Sequence, residues 1–105
     1  MPLKIKELPE AERPYEKLKM HGEEALTNAE LLAIIIKTGT KNENSLQIAN
    51  RILLLTNTLK DIMDLSIKDL ISIKGVGEIK EIQIKAVCEL TKRIEQSRKK
   101  KKKKV

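Results

Sequence analysis

Apolar residues recur at helical spacing in successive segments of this chain, and the segments differ in how much of the helix they cover. Leu31, Leu32, Ile34, Ile35 and Ile36 crowd together so densely that a helix there is apolar nearly all round, which predicts the buried centre of the fold. Thr27 with Glu30 three residues later reads as a capping box opening that helix, over Ala29 to Lys37, and Gly39 is expected to end it. Upstream, Pro14 suits the first position of a helix ending at His21, with Gly22 as its terminator. Downstream, a polar loop from Thr40 to Asn44 precedes a helix over about Ser45 to Leu55, with Leu46, Ala49, Ile52 and Leu53 on one face. Thr58 can cap a single turn holding Leu59 and Ile62, and Ser66 with Asp69 caps a further short helix. The last segment runs from Glu78 to about Gln96, where Ile79, Ile82, Ala86, Leu90 and Ile94 form one continuous apolar stripe. The pattern predicts an all-α fold, a small bundle of about five helices with no sheet.

Composition agrees with that reading. Tyr15 is the sole aromatic residue among 105, so the core must be built from Leu, Ile, Val, Ala and Met. The scarcity of aromatics also removes the stacking platforms on which single-stranded nucleic acid usually rests. The net charge of +7 is concentrated at one end, because Lys99–Lys104 supply six of the 22 basic residues. Residues 1–98 therefore hold sixteen basic residues against fifteen acidic ones, about +1. A body so near neutrality is unlike a strong duplex-DNA binder driven by phosphate neutralisation. Residues 1–12 read as an extended arm, 13–97 as one helical domain and 98–105 as a basic low-complexity tail. Cys88 stands alone inside an apolar helical pattern, the usual place of a small core residue, and excludes an internal disulfide. With no apolar targeting region at the N-terminus and no membrane span, the expectation is a monomeric cytoplasmic protein.

The candidate chemistry lies in Ile73-Lys74-Gly75-Val76-Gly77, between the two final helices. Glycines one residue apart let a chain reverse with positive φ and bring backbone close to another group. The turn also leaves the first N–H groups of the following helix open at the positive end of its dipole, an arrangement suited to an anion. With apolar residues at 70, 73, 76 and 79, the pattern resembles the helix-hairpin-helix motif, which grips nucleic-acid phosphate without reading sequence. The resemblance implies contacts from the backbone of Gly75, Val76, Gly77 and Ile79, with Lys74 and Lys80 as cationic partners. The plain alternative is a tight turn whose glycines serve geometry alone. Glu78 and Glu81, beside the turn, favour that alternative because they would repel a phosphate. An echo, Leu32-x-x-Ile35-x-x-x-Gly39 against Leu70-x-x-Ile73-x-x-x-Gly77, is compatible with a degenerate first copy of the motif and equally with chance.

Two further stretches narrow the relationship. Arg13-Pro14-x-Glu16-Lys17-Leu18 followed by His21-Gly22, and Ala25-Leu26-Thr27-Asn28-Ala29-Glu30-Leu31-Leu32-Ala33-Ile34 closing with Lys37-Thr38-Gly39-Thr40, together with the glycine turn and Lys80, are similar to the N-terminal region of bacterial RadC-type proteins. The similarity covers roughly residues 8 to 96. Tyr15 departs from it, standing where that family often has a charged residue. Membership implies a helical N-terminal domain of a DNA-repair-associated protein, followed by a metalloprotease-like domain of the JAMM/MPN type that holds zinc. The ligand set of such a site is absent here, since His21 is the sole histidine. The lysine run falls where the linker to that domain would start, so a premature end at that tract, a chosen end-point and a natural stand-alone domain all stay open.

An enzyme of the endonuclease III kind shares a helical layout and the glycine turn, but its lyase members place a nucleophilic lysine two residues after the second glycine. That position is Ile79 here, and Lys80 points about 100° away around the helix. The aspartate such enzymes need has no counterpart around Ser97, and no cysteine cluster exists for an iron–sulfur site. The expectation is therefore a non-enzymatic chain with no cofactor. Two functions follow: a sequence-independent DNA-binding module, or a protein-interaction and regulatory domain for a missing metal-dependent hydrolase domain.

Overall fold

In the computed structural model, the residues described are 13–37, 39–40, 43–73 and 76–103. Five α-helices order them: α1 (Pro14–His21), α2 (Asn28–Ile36), α3 (Ser45–Leu53), α4 (Ile67–Ile71) and α5 (Glu78–Lys103), with 3-10 turns at Glu23–Ala25 and Leu59–Asp64. No strand occurs among the described residues, so the expected all-helical bundle is what forms.

Each start has a local chemical cause. Pro14 opens α1. Reciprocal capping boxes open α2 (Thr27 with Glu30), α3 (Asn44 with Gln47) and α4 (Ser66 with Asp69). In the second of these the Asn44 N–H donates to Gln47 Oε1 and the Gln47 N–H to Asn44 Oδ1, both at 2.8 Å. The run from Thr40 to Asn44 is polar throughout, so the residue pattern alone does not single out Asn44 as the cap. Gly22 terminates α1 with φ 85 and ψ 163, a region essentially confined to glycine.

The end of α2 differs from expectation. The chain turns at Lys37, which takes φ 71 and ψ −55, so Gly39 is not the residue that terminates the helix. Gly39 is required for another reason. A Cβ there would stand 2.2 Å from the Glu43 carbonyl oxygen and 2.6 Å from Asn44 Cα, because the loop folds back upon it before α3.

The core gathers Leu32, Ala33 and Ile36 of α2, Ile48, Ala49 and Ile52 of α3, Ile62 and Leu65, then Leu70, Ile73, Val76 and Ile84. Ile34 and Ile35, expected at its centre, are half-buried. A cylinder apolar on every side has more surface than α3 and α5 can cover, so α2 buries one face and leaves Leu31, Ile34 and Ile35 at the margins. Along α3, Ile48 takes the place given to Leu46, which packs only at the edge.

The largest correction concerns α5. Ile84, at 1% exposure, is its deepest residue, and Glu81 and Cys88 share that face. Of the stripe read from the sequence, Ile82, Leu90 and Ile94 are each more than half exposed and Ala86 is exposed as well, while the side chain of Ile79 lies outside those described. Rotation of α5 is set by its attachments, since Lys85 Nζ donates to the Leu65 carbonyl at 3.1 Å and the Cys88 thiol lies 3.9 Å from the Ile62 carbonyl. Nor does the helix stop near Gln96. It continues to Lys103, lysine being a good helix former and cations suiting the negative end of the dipole.

Candidate nucleic-acid interface

Three apolar side chains hold the glycine turn against the bundle. Leu70 is fully buried, Ile73 and Val76 nearly so. The backbone turns tightly between them: the Ser72 N–H bonds the Lys68 carbonyl at 3.1 Å, the Ile73 N–H the Leu70 carbonyl at 3.2 Å and the Val76 N–H the Ile73 carbonyl at 3.0 Å. Val76 is thus an anchor whose side chain faces inward. Lys74 and Gly75 lie outside the described residues, and so does the expectation of a positive φ at position 75.

Gly77 is exposed and immediately precedes α5. Its carbonyl receives the first bond of the helix, from the Glu81 N–H at 3.0 Å, which makes it the cap position. Contrary to expectation, its own conformation does not require glycine. Gly22 is the sole described glycine with positive φ, and a Cβ on Gly77 would meet nothing within 4 Å. Having no side chain, Gly77 offers no oxygen to the first-turn N–H groups of Glu78, Ile79 and Lys80. Thr27, Asn44 and Ser66 all do so for their own helices. Lys80 is half-buried rather than exposed, and Glu81 is 6% exposed beneath the same turn.

Elsewhere the charged groups tie the bundle together. The Lys17 ammonium contacts both carboxylate oxygens of Glu30 at 3.1 Å, so Lys17 is an α1–α2 strut and not a free surface cation. Burial raises the cost of ionising Glu30, but the Thr27 N–H, the Lys17 ammonium and the Thr27 hydroxyl outweigh it and hold the carboxyl below its ordinary value. Asp61 is also held low, chiefly by the Thr58 N–H, and Asp69 by the Ser66 N–H. Burial pushes the Cys88 thiol up, against the opposing pull of Lys85. No group of three or more His, Cys, Asp or Glu side chains suited to a metal ion occurs among the described residues. No helix among them is long and apolar enough to cross a membrane.

A second feature lies between α2, the second 3-10 turn and α5. Leu31, Leu32 and Ile35 of α2, Leu59 and Met63 of the second 3-10 turn, and Val87 of α5 line an open apolar groove of about 480 Å³. Its sequence signal was the excess of apolar residues on α2, more than one small bundle could bury.

A family model described as UPF0758 N-terminal matches residues 5–82. A UPF0758 protein of Clostridium beijerinckii is 54% identical over 91 residues, covering 87% of this chain and 40% of the relative. Another, from Clostridium botulinum strain Eklund 17B, is 52% identical over 91 residues, and one from strain Hall is 48% identical over 90, each again covered over 40% of its length. This chain therefore spans about two fifths of the length of the curated relatives it matches. No solved structure matches it.

Proposed function

Given that this chain belongs to the UPF0758 N-terminal family, we propose that it is a non-catalytic module binding the nucleic-acid backbone without sequence preference, as expected of a helix-hairpin-helix in a RadC-like repair protein. The observation that carries this reading is the glycine at the cap position of α5. Neither space nor backbone angle calls for glycine at position 77, and glycine there supplies no side-chain oxygen to the N–H groups at the positive end of a long helix. A phosphate oxygen can take the place that a serine or asparagine side chain occupies at the other helix starts. Lys80, one turn in, adds a cationic contact.

The test is a titration of labelled duplex DNA across a series of salt concentrations, with Lys99–Lys104 replaced by glutamine so that the tail contributes nothing. Lys80→Ala should lower the slope of log K against log salt by about 0.7–1 and weaken all sequences alike. Glu78→Gln should strengthen binding. Gly77→Asp supplies its own carboxylate cap, so it should preserve folding while abolishing binding. No measurable affinity at low salt in the tail-neutralised protein, or full affinity in Gly77→Asp, would reject the proposal.

The apolar groove favours a second reading, in which the domain docks protein, including the remaining three fifths present in longer relatives. By the resemblance to RadC-type proteins, that remainder would be a metal-dependent hydrolase domain.

A further inference from the structure

A smaller pocket, of about 100 Å³, lies where α1, α2 and α3 meet, lined by Pro14, Tyr15, Ala33, Ile34, Lys37 and Ser45. We infer that it is an anion site, suited to a tetrahedral oxyanion of the phosphate type and separate from the glycine turn before α5. Its volume has room for about three waters, and so for one such ion. Half of the lining is apolar, and the other half is a phenol, an ammonium and a hydroxyl, each able to donate a hydrogen bond. No carboxylate is among the lining residues.

Ser45 is the group that points to a ligand. It is 3% exposed, yet its hydroxyl has no hydrogen-bond partner among the described residues. A hydroxyl so buried is ordinarily satisfied, and this one borders a pocket. Ser45 is also the first residue of α3. The reciprocal box of Asn44 and Gln47 takes up the N–H groups of those two residues and not those of Ser45 and Leu46, at the positive end of the dipole. Lys37 supplies a positive charge with no ion pair among the described residues, which favours an anion over a water. It does so at φ 71 and ψ −55, a strained conformation that glycine would hold more easily. These groups flank the loop at Gly39, where the weaker echo of the glycine turn ends.

Inorganic phosphate is the probe, titrated into the intact chain at constant ionic strength and followed by backbone amide shifts in NMR, with chloride as the reference. Phosphate should move the Ser45 and Leu46 amides saturably, and chloride should not. Ser45→Ala and Lys37→Gln should each weaken binding about tenfold or more. Ser45→Ala should leave the melting temperature unchanged, because the hydroxyl it removes has no partner. Lys37→Gly should lose binding without lowering the melting temperature, because it relieves the φ of 71. Lys92→Gln, which removes one exposed charge from α5, should alter nothing. Duplex DNA added to the tail-neutralised protein identifies the source of the phosphate. Displacement of the inorganic ion assigns the site to the nucleic-acid backbone, and retention assigns it to a small phosphate compound. No saturable shift at Ser45, an equal response to chloride, or binding that survives both Ser45→Ala and Lys37→Gln would overturn the inference. Any of these would leave the α5 proposal standing, since none of the three lining donors belongs to that turn.

Discussion

Alanine placed at each of the three described glycines separates three physical reasons for having glycine. At Gly39 the reason is space. The new Cβ would lie 2.2 Å from the Glu43 carbonyl oxygen, 2.6 Å from Asn44 Cα and 2.8 Å from Asn44 C, all backbone atoms, so no rotamer change can relieve it. The loop must shift by about 1 Å, an overpacking cost of roughly 1–3 kcal/mol. That shift also disturbs the bond from the Thr40 N–H to the Glu43 carbonyl, 2.7 Å long, and the Asn44 box that starts α3. Loss of the cap adds about 1 kcal/mol. At Gly22 space is free but φ is 85, so the cost is conformational, roughly 1–3 kcal/mol. At Gly77 neither constraint applies, and alanine should change stability by no more than about 0.5 kcal/mol. Urea unfolding followed by far-UV circular dichroism suits a chain with no tryptophan and one tyrosine. At about 4–8 °C per kcal/mol for a domain of this size, Gly39→Ala should lower the melting temperature by 10 °C or more, to order of magnitude. A Gly39→Ala protein as stable as the parent, or a Gly77→Ala protein as damaged as Gly39→Ala, would refute the reasoning.

Other outcomes follow from burial and charge. Ile52→Ala, at a fully buried site, should cost about 2–5 kcal/mol, and Ile35→Ala on the groove margin clearly less; equal losses in denaturant titration would misplace the core. Glu30, Asp61 and Asp69 all have lowered pKa values in the fold, so their contribution is complete above the unfolded carboxyl range near about 4 and is lost as pH falls through the folded values. Melting temperature against pH should therefore drop below about pH 4, and Glu30→Gln should flatten that drop; an unchanged profile would count against the Lys17–Glu30 strut. Cys88, with its thiol pushed up by burial, should react with iodoacetamide more slowly than a free cysteine at pH 8, and urea should restore the rate.

Helix starts were the most legible part of the fold because their causes are local. Thr27 with Glu30, Ser66 with Asp69 and Pro14 each announce a helix within four residues, and the structure forms all three. Facing was less legible. The α5 row at 82, 86, 90 and 94 is as apolar as the face that packs, and only contacts with Leu65 and Ile62, distant in sequence, decide between the two. The role of Gly39 hid for a similar reason, since its neighbour is a carbonyl four residues on that no residue pattern reports. At the candidate site, the anchors Leu70, Ile73 and Val76 were readable from spacing, while the half-burial of Lys80 depends on how α5 rolls.

The contrast between the helices that start on a side-chain cap and α5, which starts on a glycine, also bears on how fast, and in what order, the chain acquires structure. Three helices carry a nucleation signal within four residues, so each can begin while the rest of the chain is still searching. Helical bundles rich in such local contacts fold in microseconds to milliseconds. α5 has no equivalent signal at Gly77, and its register depends on docking to Ile62 and Leu65. The longest helix should therefore lock in last, giving φ-values near zero along α5 and higher ones at Thr27 and Asn44.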